Sequence, residues 1–162
     1  DIKLADDKWK TKHLKSIKNI YASSLYFNDL YPLIERVILQ NSKYLVDYSL
    51  LSMSLILDKI SYDKKSIFVQ SSEKIIGNKN DLLVNITKNF NSNSYLSGEG
   101  AKNYVDEKYL RDNGITHSFN KFEHPQYNQL GKIFIKNLSI IDCIFNIGFD
   151  KFKKSLYQNI KN

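Results

Sequence analysis

Two short stretches hold the residue types that chemistry would need. Ser97-Gly98-Glu99-Gly100 is a glycine-bearing loop where a strand-like run gives way to a helical one. Backbone N–H groups of such a loop can cradle a phosphate or a carboxylate. It has neither the spacing nor the Gly-Lys-Thr/Ser ending of a P-loop, and Glu99 would repel a phosphate unless Lys102 balanced it. Two structural readings compete: a tight turn that needs glycine, and a Glu that serves only as a helix N-terminal charge. The second stretch, His124-Pro125-Gln126-Tyr127-Asn128-Gln129, gathers donors and acceptors beside a residue that the proline biases toward extended backbone. His124 is the general-base candidate, since imidazole titrates near neutrality. An equal alternative is a histidine bonded to a carbonyl to pin the loop. Together they suggest a polar cleft with a His124–Glu99 pair.

Other polar residues have strong structural readings. Asp142 follows Ser139 by three residues, the spacing of a capping box. His117, between Thr116 and Ser118 in an alternating run, reads as a surface residue. His13 shares a helical stripe with Trp9, and a partly buried histidine with one partner is preferred there over a ligand or acid/base group facing a cleft. No Cys/His spacing, Ser-His-Asp order or carboxylate pair is present, so neither metal nor cofactor is expected.

The elements that must position these groups are mostly helices. Asp6 and Asp7 precede Trp9, His13, Ile17 and Ile20, which recur at helical spacing to about Tyr21. Asp29 is the next expected cap, with Pro32 in the first turn and Leu33, Ile34, Val37 and Ile38 as the buried stripe. Residues 43–60 carry apolar side chains around most of the circumference, which predicts a central, largely buried helix with Met53 filling the core. A strand is expected over residues 66–70, a second at Tyr95-Leu96 and a third over residues 115–123. Between them fall helices starting at Asn80-Asp81, with Leu82, Leu83, Ile86 and Phe90 on one side, and over residues 101–112, stopped at Asn113-Gly114. Helices over residues 140–146 and from Asp150 onward complete the chain, with Gly148 between them. The alternation predicts an α/β fold: a small, mostly parallel three-stranded sheet with predominantly helical surroundings. Loops after its strands would open at one sheet edge, where ligands bind in open α/β sheets.

The 162 residues, 42% hydrophobic, suit one domain with one core. A lone Cys143 cannot form an internal disulfide, and neither a signal peptide nor a membrane span is visible, so a cytoplasmic protein is expected. The chain opens at Asp1, which suggests a fragment or a processed product. Net charge is +7, yet Arg36 and Arg111 are its only arginines and the lysines are interleaved with acids. Base readout leans on arginine geometry, so nucleic acid is not an expected partner. A basic surface is equally consistent with a phosphorylated small substrate or an anionic membrane surface, with at most peripheral membrane contact expected.

Several motifs in series carry a resemblance. They are Tyr-Leu-Ser-Gly-Glu-Gly-Ala at residues 95–101, Tyr-Val-Asp at 104–106, Gly-Ile at 114–115, His-Pro-Gln-Tyr-Asn-Gln at 124–129, and Leu-Ser-Ile-Ile-Asp-Cys-Ile-Phe-Asn-Ile-Gly at 138–148. With the Trp9…His13…Ile17…Tyr21 helix, order and spacing resemble the WbqC-like protein family over most of the chain. Members of that family begin with a segment bearing a His-Gln-Pro-Asn-Tyr-type motif, which is absent here. The resemblance therefore implies that residues 1–162, as a single domain, are the C-terminal two-thirds of a longer protein. It also implies a place in bacterial surface-polysaccharide (O-antigen) biosynthesis, with transfer of glycine or a related acyl group to an amino sugar. On that reading His124 is the base and Glu99 orients it or binds the amine. The amides of Gly98 to Gly100, with Gln129 or Asn146, stabilise an oxyanion. Ser97, Lys102, Tyr127, Asp142, Trp9 and His13 complete the expected substrate contacts. The partner would be a nucleotide sugar or lipid-linked sugar, with the acyl donor unspecified. The alternative is a non-catalytic module that binds such a sugar for a partner transferase.

Overall fold

The computed structural model describes residues 2–63 and 73–160. These fall into two compact units, one drawn from Asp1–Lys65 with His124–Asn162 and the other from Ser66–Glu123. The architecture is mixed α/β, predominantly helical, with a small parallel sheet of two strands among the described residues. The strand expected over residues 66–70 lies outside the described residues.

The first unit is built from α1 (Lys8–Tyr21), α2 (Phe27–Leu39), α3 (Leu45–Lys59) and α6 (Ile140–Ile160). Asp6 starts α1 by accepting the Lys8 N–H at 2.9 Å, while Asp7 pairs instead with Lys10 at 2.8 Å. The buried face of α1 runs through Lys10, Leu14 and Ile17, whereas His13 and Ile20 are exposed. A lysine occupies a core-facing position because its stem is apolar and its ammonium finds the Gln40 carbonyl at 2.9 Å. Helix α2 begins at Phe27, two residues before the expected cap, and buries Phe27, Leu30, Ile34, Val37 and Ile38. The backbone N–H of Tyr26, just before it, donates to the Phe145 carbonyl at 3.0 Å and ties α2 to α6.

Helix α3 corrects an expectation. Tyr48 is its one buried residue, and Met53 is 43% exposed. Apolar residues around a whole circumference do not distinguish a central helix from a peripheral one with an apolar outer face. The centre is α6, where Ile144 and Phe145 are fully buried. Phe145 packs against the tilted rings of Tyr21 and Phe27, each at a centroid distance of 5.3 Å. Burying each such ring stabilises the fold by about 1.5–3 kcal/mol. Gly148, at φ 75 and ψ 171, breaks the helical dihedrals of α6. A Cβ there would lie 2.9 Å from the Tyr26 ring, so glycine is required for conformation and for space.

The second unit holds α4 (Lys79–Asn89), β1 (Ser94–Gly98), a 3-10 turn (Glu99–Asn103), α5 (Glu107–Asp112) and β2 (Thr116–Asn120). Strands β1 and β2 are parallel, with Ser94 opposite Thr116 and Gly98 opposite Asn120, so the two loops that follow leave the same sheet edge. The single helix expected over residues 101–112 is a 3-10 turn and a separate α5, because Asp106 caps α5 by accepting the Tyr109 N–H at 2.9 Å. Asn113 and Gly114 (φ 78) end it as expected. Val84, Leu110 and Ile115 form the core. On α4 the buried face therefore runs through Val84 and Thr87, leaving Phe90 exposed.

Candidate functional site

In the first unit the loop after His124 is pinned to α6 from below. Asp142, on the first turn of α6, is 5% exposed and does not reach back to cap the helix. Its Oδ2 accepts the Tyr127 hydroxyl at 2.8 Å and the Gln129 Nε2 at 3.1 Å. Gln129 also bridges Ile135, donating to its carbonyl at 2.9 Å and accepting its N–H at 2.8 Å. Both Gln129 amide hydrogens are thus engaged within the protein. Burial, followed by the neighbouring Asp142, pushes the Tyr21 hydroxyl up to about 12. The Tyr127 hydroxyl is raised too, first by burial and then by Asp142. Both tyrosines therefore stay protonated and able to donate at neutral pH.

His124 is half-buried beside Tyr127 and Phe134, and its Nδ1 lies 2.9 Å from the Pro125 carbonyl oxygen. A carbonyl only accepts, so Nδ1 donates this bond, and in the neutral ring that leaves Nε2 as the atom with the free lone pair. The loop-pinning reading and the general-base reading are therefore compatible.

Around this loop lies a cavity of about 650 Å³, with Gln126, Tyr127, Asn128 and Gln129 on one side. Asn146, Ile147, Lys151, Lys154 and Ser155 of α6 line the other, and Leu25 and Leu130 complete the wall. Asn146 donates from Nδ2 to the Asp142 carbonyl at 2.8 Å. Lys151 and Lys154 were not legible as site residues in the sequence, where they merge into a run of lysines on the last helix. A weak signal was present: they stand three apart, on one helix face.

Trp9 and His13 line a separate apolar hollow of about 350 Å³ with Leu45 and Tyr48. The exposed His13 ring stands edge-on to Trp9 at 6.0 Å, and the Trp9 indole N–H is buried without a partner among the described residues.

The remaining site candidates belong to the second unit. Glu99 and Lys102 form an ion pair at 2.8 Å, and that hydrogen bond holds the Glu99 carboxyl below its ordinary range. Lys102 thus supplies the balancing cation that the loop required. Gly98 has φ −70, and a Cβ at Gly98 or Gly100 would meet nothing within 4 Å. The turn does not need glycine at these points, and the backbone there is open to close approach. His117, expected at the surface, is half-buried: its Nε2 lies 2.9 Å from the Ser97 Oγ, with Tyr95 stacked on one side and Phe119 edge-on at 4.5 Å. Parallel register places these three rings on one face, which the alternating sequence alone could not assign to inside or outside.

Among the described residues no group of three or more His, Cys, Asp or Glu is gathered for a metal, and no helix is long and apolar enough to cross a membrane. A family model, that of the WbqC-like protein family, matches residues 1–154. An uncharacterized protein of Mycobacterium tuberculosis is 24% identical over 143 residues, covering 86% of this chain and 61% of its own length. The chain thus spans about three-fifths of the length of this curated relative. No solved structure matches.

Proposed function

Because the chain belongs to the WbqC-like protein family, we propose that it serves in bacterial surface-polysaccharide assembly as a transferase that places a glycyl or related acyl group on an amino sugar. The observation that carries this reading is the cavity of about 650 Å³ beside the His124 loop. Its carboxamides can both donate to and accept from sugar hydroxyls, and its Tyr127 ring offers an apolar face for sugar C–H groups. His124 Nε2 takes a proton from the sugar amine as its nitrogen attacks the acyl carbonyl. The new C–N bond forms, the bond to the leaving group breaks, and the proton passes from His124 to that group. The oxyanion is met by carboxamide N–H groups of Gln126 or Asn128, since those of Gln129 are engaged internally. In the second unit, the open backbone at Gly98 and Gly100 and the Lys102-balanced Glu99 are proposed substrate contacts in their own right.

The second reading, a module that binds the sugar for a partner transferase, is favoured by one observation. Among the described residues no carboxylate is hydrogen-bonded to His124, so no acid/base pair is preassembled. Intact-mass analysis of amino-sugar nucleotides incubated with the chain and a panel of activated glycine donors separates the two. A glycyl mass gain that His124→Ala abolishes, in a variant still folded by circular dichroism, supports the transferase. Unchanged turnover in that variant removes His124 from the mechanism. Tight sugar-nucleotide binding with no mass gain supports the binding module.

A further inference from the structure

We infer that the cavity beside the 126–129 loop takes its sugar as a diphosphate ester, with Lys151 and Lys154 holding the phosphate oxygens. The inference rests on the sugar-binding reading above and names the form in which that site receives its ligand.

The argument begins with charge. Acids and lysines alternate along most of the chain, but the lining of this cavity contains two lysines and no carboxylate. Of the neighbouring acids, Asp142 is 5% exposed and occupied by Tyr127 and Gln129, while the exposed Asp150, four residues before Lys154 on α6, is not part of the lining. A wall of one sign with a low-dielectric floor concentrates an anion. Lys151 and Lys154 are neighbours on one face of α6 and repel one another. Among the described residues no acid is ion-paired with either lysine to offset that repulsion. A diphosphate between them would.

Shape and side-chain chemistry agree. Ammonium groups on flexible stems act as mobile point charges and can share the several oxygens of a diphosphate. Gln126, Asn128 and Asn146 line the same cavity as the two lysines, with the donor-acceptor pairs that hydroxyls require. A volume of about 650 Å³ holds a diphosphate and a hexose together. Nucleotide-linked and lipid-linked sugars share the diphosphate, and the carrier is what the experiment must distinguish.

The test is calorimetry on the full chain with no acyl donor present. The probes are UDP-N-acetylglucosamine, UDP, free N-acetylglucosamine and a short, water-soluble citronellyl diphosphate N-acetylglucosamine. The wild type should bind diphosphate sugars at least tenfold more tightly than the free sugar, with affinity falling as salt rises. Lys151→Ala/Lys154→Ala should remove that advantage while leaving free-sugar affinity unchanged, and Lys151→Arg/Lys154→Arg should restore most of it. Preference for UDP-N-acetylglucosamine over the citronellyl compound identifies a nucleotide carrier, and the reverse a lipid carrier. No diphosphate binding by the wild type, or equal binding by the folded alanine variant, overturns the inference. Glycyl transfer to a free amino sugar alongside either result would overturn it while leaving the transferase reading intact. Loss of transfer in His124→Ala with diphosphate binding unchanged would leave the inference standing.

Discussion

Replacing Asp142 by alanine is the sharpest test of how the candidate site is held. The carboxylate accepts two hydrogen bonds, from Tyr127 at 2.8 Å and Gln129 at 3.1 Å. Alanine leaves both donors without their acceptor. An unsatisfied buried donor costs about 1–3 kcal/mol, and the half-buried Tyr127 and Gln129 belong at the low end, where cavity water reaches them. Two donors give about 2–3 kcal/mol, from which relief of burying a carboxylate at 5% exposure subtracts on the order of 1 kcal/mol. A net loss of about 1–2 kcal/mol follows, measured as a lower urea midpoint at unchanged slope. Tyr127→Phe alone should cost about 1 kcal/mol, and in the double variant the two losses should fail to add by a similar amount. Hydrogen exchange adds a local readout: the Ile135 amide, held by Gln129, should lose protection in Asp142→Ala. A loss below about 0.5 kcal/mol with additive effects would show that Asp142 does not anchor this loop.

Gly148→Ala should destabilise the chain by about 1–3 kcal/mol in chemical denaturation, since φ is 75 and the new Cβ would sit 2.9 Å from the Tyr26 ring. A neutral result would place α6 differently at that point. The hydroxyls of Tyr21 and Tyr127 are both raised in the folded chain. The unfolded chain therefore loses those protons first, and stability that is complete below about pH 10 falls as pH rises beyond it. Phenolate absorbance should show these two tyrosines titrating late, and Tyr21→Phe should flatten the alkaline fall. Cys143 is buried, and burial with the adjacent Asp142 pushes its thiol up to about 11. Its modification by a thiol reagent at pH 8 should be far slower than that of an unfolded control, and fast labelling would contradict the buried position.

Much of the helical frame was legible because its signals are local. Asp6 before α1, Asn113-Gly114 after α5 and Gly148 within α6 punctuate the chain as their backbone chemistry requires, and two adjacent strand-like runs with a helix between them became the parallel pair β1 and β2. The serial motifs also sufficed for the family, which matches residues 1–154. Which face of each element is buried was another matter. Lys10 took a core position from His13, and α3, apolar all round, became peripheral, because burial depends on neighbours that arrive from distant sequence. The candidate site divides along the same line. Residue types at 97–100 and 124–129 were visible as polar, glycine- and proline-marked loops. Only the tertiary structure decided that Asp142 would turn from its helix cap to Tyr127 and Gln129, that His117 would meet Ser97, and that Lys151 and Lys154 would face Gln126 and Asn128 across one cavity. A cap is written in four consecutive residues; a cavity wall is written in the packing of the 126–129 loop against a helix that begins only at Ile140.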